Sequence, residues 1–550
     1  MIHLKIILPD GEVHEKDASV GIRPSDLIRQ YDGKYPILAC RVNQKNKRLD
    51  KPLTKDCTVH LLDMRDNYAN MSFQSSLTLL YLEAVRRVLG PKAKVTIANS
   101  LSKGLFTTIN TNVTDALVQK IEDTMHEIVR EDLPFAERHL SRDELIAHMK
   151  EMHRSETVRL LESAPSLDEA RLVKFGGVED VAYIHQLPSA RYLRSFELVH
   201  YRYAIILRFP PQSHPDGIVP FAEQKLLYDA FSEETEWEKL LNISYAADLN
   251  EAMVKERRET IMLSEALHEK KIAMIAQRIA NEKKRIILIA GPSSSGKTSF
   301  AKRLCIQLRV CGLRPLYLGT DDYFVDRKNL IPDEKGNIDF ETIKALDIDL
   351  FTSQMNDLLA GKEVDLPTFD FISGEKKYGS RITKIDASMP IVIEGIHGLN
   401  PMLTEGIPEK EKFKIYISPL TSLNIDAHHR IPTTDARMLR RLVRDYRTRN
   451  RSAAQTIHDW PSVRRGEDKW IFPYCDDADA FFNSSAIYEL SVLKKYAEPL
   501  LHSISKGQEE YSEARRMLDF LKFFRTIDDV HEIAINSILR EFIGGSILVD

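Results

Sequence analysis

Apolar and polar positions alternate in distinct ways along the chain. At the start they come in short runs broken by turn residues. Leu4 to Leu8 reads as a strand, Pro9-Asp10-Gly11 as a turn, and a second strand follows near Val13. Pro24 to Gln30 suits a short helix with Ser25 as cap, and Ile37 to Val42 and Thr58 to Leu62 supply two more strands, so residues 1–62 form a small β-rich unit. From 72 to 90 the period changes: Leu77, Leu80, Tyr81, Ala84, Val85 and Val88 fall on one helical face. A mixed α/β pattern, including a β-type run from Tyr203 to Phe209, extends the second unit over 63–235. Residues 236–284 read as a connecting segment. It is charged and helical from Asn250 to Lys284, and Met253, Ile261, Leu267, Ile272, Ile275 and Ile279 recur at helical spacing for docking onto the next domain. At Arg285 the pattern switches to Ile-Ile-Leu-Ile-Ala, a continuous apolar run suited to a central parallel strand buried on both faces.

The bulk composition adds bounds. A chain of 550 residues exceeds one hydrophobic core, so two to four domains are expected. A net charge of -4 supplies no global basic field for nucleic acid. The five cysteines, Cys40, Cys57, Cys305, Cys311 and Cys475, include no C-x-x-C pair, which argues against a disulfide framework or a thiolate zinc site. The first residues turn polar too soon for a signal peptide, and no apolar run approaches the ~20 residues of a membrane span. A cytoplasmic protein without membrane attachment is the expectation.

The apolar run at 286–290 leads into Gly291-Pro-Ser-Ser-Ser-Gly296-Lys297-Thr298, which fits G-x-x-x-x-G-K-[ST] at every fixed position. Gly291 and Gly296 allow a backbone turn whose N–H groups converge on phosphate oxygens. The ATP-binding set is therefore Gly291, Ser293, Ser294, Ser295, Gly296, Lys297, Thr298 and Ser299. Lys297 brings a charge to the β- and γ-phosphates. Thr298 offers a hydroxyl to Mg²⁺ and opens a helix, expected from Ser299 to Val310, whose positive end faces the same anion.

Phosphoryl transfer also needs carboxylates. Pro315-Leu-Tyr-Leu-Gly319 reads as a second parallel strand ending at Thr320-Asp321-Asp322-Tyr323-Phe324, and Pro390-Ile-Val-Ile-Glu394-Gly395 repeats the pattern. Ligands bind at that strand edge in open α/β sheets. Asp321 and Glu394 are the leading candidates, with Asp322 the competitor of Asp321; Asp339 and Glu341 lie between. One carboxylate accepts the proton of an acceptor hydroxyl and another positions the metal. Downstream, Arg437, Arg440, Arg441 and Arg444 share a helical face, followed by Arg447, Arg449 and Arg451. A solvated basic helix and an RNA patch are the alternatives to a lid whose guanidinium groups close on the γ-phosphate.

Together GPSSSGKT, Thr320-Asp-Asp-Tyr-Phe324, Pro367-Thr-Phe-Asp-Phe371, the IVIEG ending at Gly395 and Arg440-Arg-Leu-Val-Arg444-Asp445 resemble the uridine kinase and phosphoribulokinase family over 285–500. The resemblance implies a P-loop NTPase-type α/β kinase domain with a parallel sheet, ATP and Mg²⁺ as cofactors, and transfer of the γ-phosphoryl group to a primary hydroxyl. It implies Asp321 as catalytic aspartate, with Lys297 and the lid arginines Arg444, Arg449 and Arg451. Glu394, with Thr298, would hold Mg²⁺. Substrate contacts fall on Asp321, Tyr323, Glu341, Phe369, Phe371, Arg449 and Arg451. Where uridine-cytidine kinases carry a base-reading histidine after the aromatic pair, this chain has Gly374. A nucleoside is therefore a firmer acceptor than uridine itself. The same chemistry on a sugar phosphate, pantothenate or glycerate stays open.

Residues 1–62 resemble a TGS domain of β-grasp type, and 70 to about 210 are similar to the second additional (editing) α+β domain of threonyl-tRNA synthetases. That domain's His-x-x-x-His positions are Gln74 and Thr78 here, and its downstream Cys and His are lost around His185 to Ser189. The expectation is no zinc and no editing hydrolysis. An RNA or nucleotide effector at the N-terminal half is the partner class left open, and with it an ATP-switched RNA-binding regulator. Residues 501–550 read as a helical extension, with Leu518, Leu521, Phe523, Phe524 and Ile527 packing on the kinase domain or on a second subunit of a homo-oligomer.

Overall fold

A computed structural model of the chain describes residues 1–28, 31, 33–167, 169–329, 341–370 and 372–549. The N-terminal unit is a five-stranded sheet. Strands Ile2–Ile7 and Val13–Ala18 form the hairpin anticipated around Gly11; Cys57–Asp63 pairs parallel to the first, and Ile37–Val42 and Lys45–Lys47 complete the far edge. The short helix is Pro24–Leu27; Arg23 stands at its cap, and the Ser25 amide donates instead to the Leu49 carbonyl. Pro24 starts it because its fixed φ suits a first turn and its missing N–H goes unneeded there. The expected end at Gln30 lies outside the described residues.

Helix Asn67–Leu89 opens the second unit, with the Asp66 carboxylate accepting the Tyr68 and Ala69 amides. Its apolar face, including Leu77, Leu80, Tyr81 and Ala84, is buried with Val95, Ile97, Leu105 and Ile205 of a four-stranded antiparallel sheet. A separate three-stranded sheet joins Ala136–Ser141, Glu169–Phe175 and Val178–Ala182. The connection is three helices, Lys225–Leu241, Ala246–Lys255 and Arg257–Asn281, the last two interrupted at Glu256, where φ is -139°. Ile261, Ile272, Ile275 and Ile279 then share one core with Phe300, Ala301, Leu304 and Leu308 of helix Lys297–Val310.

The sheet that carries the chemistry has five parallel strands in the order Leu316–Gly319, Ile391–Glu394, Ile286–Ala290, Lys412–Ser418, Ala480–Asn483. The central strand is buried on both sides: Ile287 and Ile289 enter one core, Ile286 and Leu288 the other. Register aligns the carboxyl ends, with Glu394 opposite both Ile289 and Gly319. Helices Thr433–Arg449 and Ala453–Trp470 follow the fourth strand; the second runs through Pro461. After the helices Glu489–His502 and Tyr511–Leu521, the chain is not the continuous helix expected for 501–550. Among the described residues beyond Leu521 only Arg540–Ile543 is helical, yet Phe523, Phe524, Ile527, Ile538 and Phe542 are all buried. Tertiary burial, rather than helical periodicity, holds that segment. Among the described residues, no helix is long and apolar enough to cross a membrane.

Candidate active site

The phosphate loop joins the central strand to helix Lys297–Val310. Gly291 is required by space, since a Cβ there would stand 2.0 Å from the Ile417 carbonyl oxygen. Gly296 is required by conformation, with φ at +83° where the loop turns into the helix. The Ser294 and Ser295 hydroxyls are buried without a hydrogen-bond partner. The Lys297 ammonium curls back to donate to the Gly291 and Pro292 carbonyls at 3.1 and 3.3 Å. Across the loop, Glu394 accepts a long hydrogen bond from the Thr298 hydroxyl at 3.5 Å and one from Tyr317 at 3.2 Å.

Asp321, Asp322 and Tyr323 leave one 3₁₀ turn, Thr320–Tyr323, in three directions. Asp322 pairs with Arg381 at 2.6 Å. Tyr323 goes into the core, its hydroxyl donating to Gln354 at 2.9 Å and its ring edge-on to Phe351, so it does not line the cleft. Asp321 alone is exposed, and among the described residues its carboxylate has no ion pair or hydrogen bond. The cleft walls still desolvate it, and burial lifts its carboxyl above the ordinary value, helped by Asp322 and opposed by Lys297 and Arg449. Burial also pushes Glu394 up to about 7; Lys297 pulls it down, while Asp321 and Glu541 push it higher. Lys297, Asp321, Glu394 and Thr298 thus form one electrostatic unit.

Around it, Phe369 lies on the strand Thr368–Asp370, edge-to-face with Phe324 at 5.6 Å. Glu341 lies against Gly466 of the helix Ala453–Trp470. Asp339 and Phe371 lie outside the described residues. Gly374 has φ +73°, and a Cβ there would come 2.8 Å from the Arg327 Cβ. Arg327 occupies the space that a histidine at this position would need.

The arginine helix divides by height. Arg437 donates to the Ser293 carbonyl and pairs with Glu467; Arg441 donates to the Ser293 hydroxyl at 2.9 Å; Arg440 reaches Ser484 and Glu489 beside the Ser294 carbonyl. Arg444 is held by Asp445 at 2.8 Å and Arg451 by Asp459 at 2.5 Å. Arg449 is half exposed, 3.6 Å from Asp445, and acts on Asp321 through space. In the second unit, Gln74 donates to Asn70 at 2.6 Å, Thr78 donates to the Gln74 carbonyl, and His185 lies 3.1 Å from Glu137.

Residues 286–491 match the Phosphoribulokinase / Uridine kinase family. A uridine kinase of Staphylococcus aureus (strain JH9) is 34% identical over 197 residues, which span 35% of this chain and 84% of that protein. The chain belongs to the phosphoribulokinase / uridine kinase family. A threonine–tRNA ligase of Desulforamulus reducens is 28% identical over 200 residues, 36% of this chain and 31% of the ligase, so the chain spans about a third of that relative; the likeness falls in the N-terminal half. A solved structure titled as a possible uridine kinase from Bacillus stearothermophilus aligns with a TM-score of 0.27 and 20% identity, covering 39% of this chain and 98% of that one.

Membership makes the C-terminal half a P-loop kinase domain that uses ATP. The donor set fits a hard divalent cation: a loop hydroxyl, Thr298, against a desolvated carboxylate, Glu394, beside a second, Asp321. Besides Arg444, Arg449 and Arg451, which the family resemblance implies, the guanidinium groups on the loop itself are Arg437, Arg440 and Arg441. The i, i+3, i+4 spacing carried that signal. Glu467, which accepts the Ser293 amide at 3.2 Å, and Glu541, which accepts the Ser299 amide, belong to no motif.

Proposed function

We propose that this chain transfers the γ-phosphoryl group of ATP to a primary hydroxyl of a nucleoside. The observation that carries the reading is the convergence of Lys297, Asp321, Glu394 and Thr298 at the carboxyl ends of adjoining parallel strands. The likeness to a uridine kinase supports a nucleoside acceptor.

In this mechanism the loop amides and Lys297 hold the triphosphate. Asp321 accepts the proton of the acceptor hydroxyl as that oxygen bonds to the γ-phosphorus. The bond to the β–γ bridging oxygen breaks, and ADP leaves. Thr298 and Glu394 would hold Mg²⁺, which when bound offsets phosphate charge. Arg449 faces Asp321, whereas Arg444 and Arg451 must first leave Asp445 and Asp459. Phe369 and Glu341 are the described residues of the proposed acceptor pocket. With Gly374 packed on Arg327, that pocket has no histidine there to read a pyrimidine edge, so uridine is one nucleoside among several.

ADP release from MgATP tests this reading: a nucleoside from a broad panel should stimulate it, and Lys297→Ala should abolish it. A panel without effect, with ATP still bound, removes the nucleoside assignment. The ligase-like N-terminal half favours a second reading, an RNA effector; tight, salt-dependent tRNA binding would support it.

A further inference from the structure

Helix Lys297–Val310 begins with orphan amide donors, the groups an anion of ATP would use. One of them is already taken by this chain's own C-terminal segment. The Ser299 amide and hydroxyl both donate to Glu541 Oε2, at 3.2 and 2.7 Å, and Ser299 is fully buried beneath it. The neighbouring contacts extend this cover. Ile538 Cγ2 stands where a Cβ on Gly296 would be 2.4 Å away, sealing the turn of the phosphate loop. The Phe542 ring lies under the Arg440 guanidinium at 4.9 Å, and Arg440 reaches both the Ser294 carbonyl and the Ser484 loop. Arg447 clamps the segment by donating to the Glu541 and Phe542 carbonyls at 2.8 and 3.1 Å. Lys302 of the same helix holds the Leu548 carbonyl.

An anion on the N-terminal donors, an aromatic ring on a guanidinium and an aliphatic group over the loop glycine reproduce the contact types of a nucleotide: phosphate, base and ribose. We propose that residues 537–548 are an intrasteric plug, with Glu541 standing in for a phosphate of ATP, and that ATP binds by displacing it. The inference rests on the reading of the 291–299 loop as the ATP site. Glu541 also places a third carboxyl group near Glu394 and Asp321. Gly544 and Gly545, at φ +95° and +73°, lie within this segment and supply a backbone that can swing. Because apparent affinity scales with the unplugged fraction, a plug suppresses ATP binding without blocking it.

The test is ATP binding by titration calorimetry on the full chain, with hydrogen exchange as an independent readout. Glu541→Gln removes a charge-assisted hydrogen bond and should tighten MgATP binding on the order of tenfold. In the wild type, MgATP should speed amide exchange across 538–548. Unchanged or weaker binding by Glu541→Gln, or slower exchange at 538–548 with ATP, overturns the plug. If Glu541→Gln does not fold, the wild-type exchange result decides alone. Lys297→Ala separates the two readings: if it binds ATP as well as the wild type, the loop assignment fails, whereas lost binding there with an unaffected Glu541→Gln protein sinks only the plug.

Discussion

The division of labour within the turn Thr320–Tyr323 decides which carboxylate can act. Asp322 is neutralised by Arg381, and Tyr323 is spent in the core, which leaves Asp321 facing Lys297 and Arg449. Asp321→Asn should lower kcat by about 10²–10⁴-fold while ATP binding persists, because a general base is lost and no phosphate contact is removed; Asp322→Asn should instead release Arg381 and loosen the turn Thr320–Tyr323. Steady-state kinetics with an ATP-binding titration separate the two. Glu394 gives a pH prediction. Its carboxyl is raised to about 7, so the uncharged form is favoured in the folded apo protein; its contribution to stability is full below the ordinary carboxylate range and is lost as pH rises through about 7. Cation binding has the opposite sign, needing the ionised form. Mg²⁺ affinity should therefore fall as pH drops from 8 to 6, with proton release on binding near pH 7, measurable by calorimetry in buffers of different ionisation enthalpy. The motif Thr-Asp-Asp-Tyr-Phe located the turn from sequence, but which side chain faces the cleft depends on Arg381 and Gln354, partners sixty and thirty residues away that no local pattern names.

Among the elements, the central strand, phosphate loop and following helix were legible because three local signals agree: a continuous apolar run, two glycines at fixed spacing and a helix former beyond. Gly291→Ala tests how tightly loop and sheet are joined. A methyl group 2.0 Å from the Ile417 carbonyl forces the loop away from the neighbouring strand. The variant should lose ATP binding and unfold at lower temperature, as read by calorimetry and thermal melting. The arginine helix was legible as a face, but not in its depth. Arg437 and Arg440 are fully buried because they carry carboxylate partners, Glu467 and Glu489, from distant helices. The segment after Leu521 was least legible. Its apolar residues suit a helix as well as a wrap, and only the surface they cover distinguishes the two.

Across the whole molecule, the ligase-like half is fastened to the loop that leads into the arginine helix. Asp180 pairs with Arg154 and with His428; Tyr183 donates to Asp426 at 2.8 Å; and the Ile97 amide and carbonyl bond to Ala427 and Asn424. Asp180 and Asp426 are each only 1% exposed, so the charges depend on one another. Asp180→Asn strips the counter-charge from Arg154 and should destabilise the protein by about 3–5 kcal/mol, seen as a lower unfolding temperature.

Nucleoside phosphorylation can be read by incubating the full chain with ATP, Mg²⁺ and a mixed pool of nucleosides and sugar phosphates, then identifying the phosphorylated products by mass spectrometry. At least one nucleoside 5′-monophosphate should appear, and the Asp321→Asn protein should form it far more slowly. Phosphorylation confined to a sugar phosphate, or no product from a protein that still binds ATP, would contradict the nucleoside kinase proposed here.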